Sequence, residues 1–404
     1  MSENGAGAAP TEDKKKPKKK LTKKRLALRI ILCTLGVLLL VVAGYVIYVF
    51  SSYYRIPDNQ ALEPLPDTDR YSTMNRVPPQ RLIVEPGDQT YTIMTYNMGF
   101  GAYTPDYSFF MDGGKYSWAR SKNGLIDNLR NISNMLEGYD PDFVLIQEID
   151  EDGTRTYHID ERNYIITGID PFQHVYARNF HSPYLMWPLN EPHGANKSGL
   201  LTMSDAYISS ATRRSLPVTK SLKKILDLDR CYTVTHIPIG NERIPLRGVE
   251  TKDDTTTTSQ KELVLYNVHL SAYGMEDSVR DAQVSMLIED MQAEYEKGNY
   301  VICGGDFNHN LRPGSTDQAP DWAQPFPFEK LPSFLSFAHL SIDCDYSHNT
   351  CRNADEAYNP DTTFTVMADG FIVSDNVEVV YYENIDLQYA YSDHDPVILK
   401  FRLK

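Results

Sequence analysis

Four short stretches hold the residues of this chain best suited to chemistry: Tyr96-Asn97, Gln147-Glu148, Gly305-Asp306-Phe307-Asn308 and Ser392-Asp393-His394. Each sets oxygen donors or an imidazole at the end of an apolar run. Carboxylate and amide oxygens suit hard divalent cations such as Mg²⁺. Hydrolysis of a phosphate ester needs such an ion, a positioned water and a group that manages its proton. Any one stretch alone reads equally well as a turn, because Asp and Asn are common at strand ends. The ordered set makes the stronger argument.

Apolar runs and periodicities predict the elements that must position these residues. Residues 91–97 read as a strand ending at Asn97, and Phe143-Val144-Leu145-Ile146 as a buried strand running to Glu148. Further strands are expected at 200–203, 231–237, 263–268, 301–303, 371–373 and 397–399. Amphipathic helices are expected over 119–137 and 277–297, where apolar residues recur at helical spacing. Segments 103–118, 179–198, 250–260 and 309–332 read as loops, the first and last lying near any site built on Asn97 and Asn308.

From about residue 89 to the C-terminus the chain resembles the endonuclease/exonuclease/phosphatase superfamily, which includes deoxyribonucleases, apurinic endonucleases, neutral sphingomyelinases and inositol polyphosphate 5-phosphatases. The resemblance rests on Asn97 in TYNMG, Glu148 in LIQEID, His269 in NVHLSAYG, Asp306 and Asn308 in GGDFN, Asp369 in ADGFIVS, and Asp393 with His394 in YSDHDPV. It implies an α/β fold, a four-layer sandwich of two packed mixed β-sheets flanked by helices. It further implies that Glu148, Asn97 and Asp393 hold a Mg²⁺, with Mn²⁺ or Ca²⁺ as alternatives. Asp306 would align or deprotonate the attacking water, Asn308 would stabilise the transferring phosphoryl group, and His269 would polarise a phosphate oxygen. His394, oriented by Asp369, would act as base or as charged stabiliser. Met367-Ala368 stand where the family usually has Arg-Ile, so the substrate is left open. Ala177-Arg178-Asn179, His181 and Ser198-Gly199-Leu200 bear a faint likeness to the sphingomyelinase branch. Arg213 and Arg214 are candidates for a phosphate contact or a solvated edge, with Asn179, Lys197 and Lys115 further behind.

Charge divides the chain. Residues 1–30 carry ten Lys/Arg against three acids, a net of +7 in a chain of −14, so the remainder carries −21. An acidic body repels polyanions and argues against a general nuclease. Residues 30–50 are uncharged, apolar and long enough to span a bilayer as a helix. The basic cluster before them should stay cytoplasmic and place the body on the other side. A cleaved signal peptide, with Val41 and Ala43 before the cut, is the competing reading. The expected organisation is a basic cytoplasmic tail (1–29), a transmembrane anchor (30–50), a Pro-rich stalk (51–88) and a catalytic domain (89–404). A monomer acting on a phosphate ester of lipid, nucleotide or nucleic acid is expected, held at the cell membrane by its single anchor. Cys344 and Cys351 frame a polar loop and are candidates for a disulfide, although spacing alone does not establish bridging geometry.

Overall fold

The apolar segment forms helix α1 (Lys23–Ser52), longer at both ends than the charge-free run. None of its residues is buried, and it is long and apolar enough to cross a membrane. The computed structural model describes residues 22–66, 82–219, 228–240, 261–271, 277–314 and 323–404. The chain divides into two units, Met1–Ser51 and Ser52–Lys404.

The second unit opens with β1 (Gln60–Leu62), β2 (Leu65–Pro66) and β3 (Tyr91–Asn97), followed by helix α2 (Lys122–Tyr139). Next come β4 (Phe143–Gly153), α3 (Glu161–Ile169), β5 (Gln173–His181), β6 (Asn196–Ser204), β7 (Ser210–Ser215), β8 (Cys231–Pro238) and β9 (Glu262–His269). Helix α4 (Asp277–Glu296) leads to β10 (Tyr300–Asp306), β11 (Leu335–Phe337), β12 (Cys351–Arg352), β13 (Thr365–Val366), β14 (Asp369–Ser374), β15 (Val377–Asn384) and β16 (Val397–Leu403). Two seven-stranded sheets result, ordered β1-β7-β8-β9-β10-β14-β11 and β15-β16-β3-β4-β6-β5-β2. Each mixes parallel and antiparallel pairs, with β3–β4 and β9–β10 parallel. This is the expected sandwich.

Alternation along the strands builds the layers. Ile93, Leu145 and Val175 of one sheet meet Val234, Leu265 and Phe371 of the other in a single core. The opposite faces of β3 and β4 present Met94, Val144 and Ile146 to Leu125, Leu129 and Ile132 of α2. Helix α2 starts where Ser121 Oγ accepts the Gly124 N–H (3.0 Å) and stops at Asp140 in the left-handed region. A polar pin crosses the core just below the site. Gln147 Nε2 donates to Asn267 Oδ1 (2.8 Å), while Asn267 Nδ2 donates to the carbonyls of Ile146 and Leu201. The amides are fully buried and mutually satisfied, so they fix one sheet's register against the other.

The expected stalk behaves differently from a free linker. Arg55 pairs with Asp229 (3.0 Å), β1 pairs with β7, β2 pairs with β5, and Val84 lies in the core. Folded structure therefore begins well before Gln89, although residues 67–81 lie outside the described residues. Prolines had suggested the stalk, but Pro66 sits on an edge strand, where a missing N–H costs little. The expected 250–260 loop also lies outside the described residues, as does part of 309–332. All five cysteines are free, so Cys344 and Cys351 are not bridged.

Candidate active site

Strand register alone gathers half of the site. His269 ends β9, Asp306 ends β10 and Asp369 begins β14; Asp306 lies opposite both of the others. In the second sheet Asn97 lies opposite Gln147. Gly305 permits this crowding: at φ +151°, a Cβ there would lie 2.0 Å from the Val268 carbonyl oxygen.

Irregular backbone supplies the rest. The β4–β6 pairing slips between Ile146 and Ile149, and in that bulge Glu148 adopts φ +52°. Such bulges re-aim a side chain at a strand end. The Glu148 carboxylate enters the cleft, a quarter exposed, 3.6 Å from His269 Nε2. Asn308 adopts φ +49° and donates to the Leu270 carbonyl (2.9 Å) and Asp306 Oδ2 (3.1 Å). Phe307 packs inward against Phe326 and Phe337. The expected arrangement of Asp306 and Asn308 about Phe307 is present, but a left-handed turn makes it, since β10 has already ended.

A chain of polar contacts runs through the centre. Thr350 Oγ1 donates to Asp369 Oδ2 (2.8 Å), which also takes His394 Nδ1 at 2.7 Å. His394 Nε2 lies 3.4 Å from Asn97 Nδ2 and 3.7 Å from Asp306 Oδ2. Both are too long for full hydrogen bonds, so this nitrogen retains capacity for a substrate oxygen. Asn97 Nδ2 donates to Asp306 Oδ2 (3.0 Å), while Asn97 Oδ1 accepts from Gly99 N (3.1 Å). Reversing that amide would set two oxygens together and lose the Gly99 bond, so its orientation is fixed. One lone pair of Asn97 Oδ1 remains.

The electrostatics sort these groups into roles. Burial alone would lower the His394 pKa, but Asp369, with Cys351 and Asp306, outweighs it and holds the imidazolium well above the ordinary histidine range. Burial, with Arg230 and His394 nearby, holds His269 neutral, and its Nδ1 is buried without a partner. Burial lifts Asp306 to about 6. Burial and the charge of Asp393 raise Glu148. Asp112, at the mouth, rises to about 7 through burial and through Asp393 and Glu148. Carboxyls crowded in this way favour a divalent cation among them. Glu148, Asp393 and the spare lone pair of Asn97 offer the hard oxygen donors it needs. The tightest acid–histidine cluster near the cleft is Asp306, Asp369 and His394, one step deeper.

The cleft, about 360 Å³, is lined by Glu148, His269, Asp306, Asn308, Asp393 and His394. Asn97 and Asp369 stand behind, in contact with Asp306 and His394. Sequence reasoning missed three arginines in the walls, of which Arg352 donates to the Asn353 and Thr104 carbonyls. Arg155 is neutralised by a two-point pair with Asp150 (2.8 and 3.0 Å) and covers the Phe100 ring at 3.7 Å. Arg230 is 6% exposed, and its Nε and Nη1 lack partners among the described residues. No motif flags Arg230, which precedes β8. Ser198 also lines the cleft with an unpartnered Oγ, so the faint Ser198-Gly199-Leu200 signal fell on a wall residue. Arg213 is neither a phosphate contact nor a solvated edge: it is fully buried and donates to the carbonyls of Arg178 and Asp229. Arg214 pairs with Asp290 and Asp58, Lys197 pairs with Asp152, Lys115 lies over the Tyr116 ring, and Asn179 is buried behind the wall.

The sequence model of the endonuclease/exonuclease/phosphatase family matches residues 94–394, and the chain belongs to that family. Its members hydrolyse phosphate esters with a divalent metal. Among solved structures, an endonuclease/exonuclease/phosphatase from Beutenbergia cavernae DSM 12333 is similar, at 13% identity and a TM-score of 0.52 over 78% of this chain and 72% of that one. TDP2 from Caenorhabditis elegans aligns at 14% identity and a TM-score of 0.46, over 83% and 80% of the two chains. A mannosyl-6-phosphatase of Bacteroides thetaiotaomicron VPI-5482 aligns at 17% identity and 0.46, over 77% and 99%. No curated protein matches this chain.

Proposed function

We propose that this chain is a Mg²⁺-dependent phosphodiesterase, anchored by α1 with its body outside the cytoplasm, acting on phospholipid or a small phosphodiester. The observation that carries the reading is the convergence on one cleft of Glu148, His269, Asp306, Asn308, Asp393 and His394 with a buried guanidinium, Arg230, whose Nε and Nη1 have no hydrogen-bond partner among the described residues. Glu148, Asp393 and Asn97 would hold the ion. Bound there, it supplies Lewis acidity to a phosphoryl oxygen and charge to the reacting group. Asp306, ionised above about pH 6 and hydrogen-bonded by Asn97 and Asn308, is aligned to take the proton of an attacking water. His394, kept as imidazolium by Asp369, donates from Nε2 to a phosphoryl oxygen and so stabilises charge. Neutral His269 and Arg230 contact the remaining oxygens.

Two features favour a diester over a monoester. The cleft already gathers Asp112, Glu148, Asp306 and Asp393, so a singly charged phosphate suits it better than a dianion. Its lining also includes the apolar side chains of Phe109, Met111, Phe180 and Leu228, which give a second substituent surface to lie against. The −21 net charge outside the basic tail disfavours nucleic acid. The test uses purified full-length protein in detergent micelles with bis(p-nitrophenyl) phosphate, sphingomyelin, phosphatidyl lipids, DNA, RNA and inositol phosphates. Turnover of a diester that EDTA abolishes and Mg²⁺ restores is expected. Failure to turn over any of them would leave a binding module.

A further inference from the structure

Among the described residues of the second unit, the two most exposed apolar side chains belong to one loop whose base lines the cleft. The loop joining β5 to β6 is uncharged from Ser182 to Asn190, in a chain with 23% charged residues. Within it Leu189 is 77% exposed and Trp187 67% exposed; Tyr184 and Met186 are exposed as well. The base of the loop is braced. Leu185 and Gly194 exchange backbone hydrogen bonds at 3.0 Å, and Trp118 Nε1 donates to the Pro192 carbonyl at 2.7 Å. Its inner residue, His193, lines the cleft and packs on Phe109 and Phe110. Met111, half exposed, stands on the same rim.

The apolar tip therefore projects from a fixed frame that also forms a cleft wall. Isolated surface leucines need no explanation, but a Trp and a Leu this exposed on one uncharged loop mark a contact surface. The chain also enters the second unit here: Tyr54 stacks on His181, the last residue of β5, at 4.0 Å. Helix α1 ends at Ser52, and two residues of chain span about 7 Å at most. The chain leaving that helix is thus tied to the base of the loop within two residues of the helix end.

We propose that the 182–190 loop is a membrane-contact element. Trp187 and Leu189 enter the headgroup boundary, where Trp, Tyr and Leu are favoured, and the cleft mouth is laid against the lipid surface. The substrate is then a phosphate ester carried by a lipid, reached without leaving the bilayer. This choice of substrate rests on the phosphodiesterase reading above; the membrane contact itself does not.

The test uses the full chain in nanodiscs of phosphatidylcholine and phosphatidylglycerol, with and without brominated acyl chains. Trp187 emission, isolated by subtracting Trp187→Phe, is expected to be quenched by bromine. In the doubly substituted Trp187→Ser/Leu189→Ser protein, hydrolysis of disc-borne sphingomyelin or phosphatidylcholine should fall about tenfold, the loss expected when two partly inserted side chains no longer bury apolar surface. Its hydrolysis of water-soluble bis(p-nitrophenyl) phosphate should not change. Unquenched Trp187 overturns the proposal and points to a protein partner. Equal loss on both substrates also overturns it, because the loop would then be shaping the cleft. Quenching without turnover of any ester supports the membrane contact and refutes the hydrolase reading.

Discussion

Three arginines line one cleft, and the structure assigns two of them, Arg155 and Arg230, opposite energetic fates. Arg155 is bound twice by Asp150, whereas Arg230 is buried with Nε and Nη1 unpartnered among the described residues. A buried donor left unpaired costs about 1–3 kcal/mol, and more when charged. Arg230→Met keeps the apolar stem and removes that cost, while withdrawing some attraction from Glu148. The free protein should therefore be unchanged or about 1 kcal/mol more stable, a shift of zero to about +1.5 °C in Tm for a folded unit of this size. Transition-state binding should suffer, because charge-assisted hydrogen bonds to a phosphoryl oxygen contribute about 1.5–3 kcal/mol. The upper figure corresponds to a loss on the order of a hundredfold in kcat/KM. Arg155→Met should do the reverse and unfold the protein readily, since breaking a buried pair from one side costs about 3–5 kcal/mol. Thermal melts in EDTA and bis(p-nitrophenyl) phosphate kinetics read both quantities. The reasoning is refuted if Arg230→Met lowers Tm by several degrees or leaves kcat/KM unaltered.

Three further outcomes are expected. Glu148→Gln should reduce turnover by several orders of magnitude and abolish the rise in Tm that Mg²⁺ gives the parent protein. In EDTA its Tm should hold or rise, because the repulsion with Asp393 is gone. Asp369→Asn should release His394 toward an ordinary histidine pKa. His394 is raised in the folded state, so its contribution to stability is full below pH 6.5 and disappears as pH climbs through the folded value. The Tm gap between parent and Asp369→Asn, measured in EDTA, should therefore narrow toward high pH, and the alkaline limb of the pH–rate profile should move to lower pH. Gly305→Ala should yield no folded protein by circular dichroism, because the new Cβ meets a backbone carbonyl that cannot move aside.

Much of this site could be read from residue types, because its chemistry resides at strand ends that apolar runs reveal. His269, Asp306 and Asp369 needed only register to meet. Glu148 was legible as a residue but not as a geometry: its side chain reaches the cleft through a bulge and a left-handed backbone, and no pattern in FVLIQEID signals either. Asn308 was placed correctly for the wrong reason, since a turn rather than strand alternation aims it. Composition misled where tertiary pairing overrode it. Pro57, Pro64 and Pro66 read as stalk residues, yet the chain around them adds edge strands to both sheets.

Arg230 escaped because its meaning is negative. Nothing in DLDRCYTV distinguishes it from Arg213, which the sequence brought forward and the structure spends on backbone carbonyls. The difference lies only in what surrounds each guanidinium. Arg213 spends its N–H groups on protein acceptors, while Arg230 lines a cleft that it shares with Glu148, Asp306 and Asp393. A fold that buries guanidinium N–H groups without hydrogen-bond acceptors accepts a standing cost in the free state, and a ligand that brings acceptor oxygens relieves that cost on arrival. The same logic governs the carboxyl groups of the cleft, where Glu148, Asp393 and Asp112 repel one another and a cation would relieve them. The cleft thus holds unpaired donors beside crowded carboxylates, and a phosphate ester together with a divalent ion held by Glu148, Asp393 and Asn97 would satisfy both.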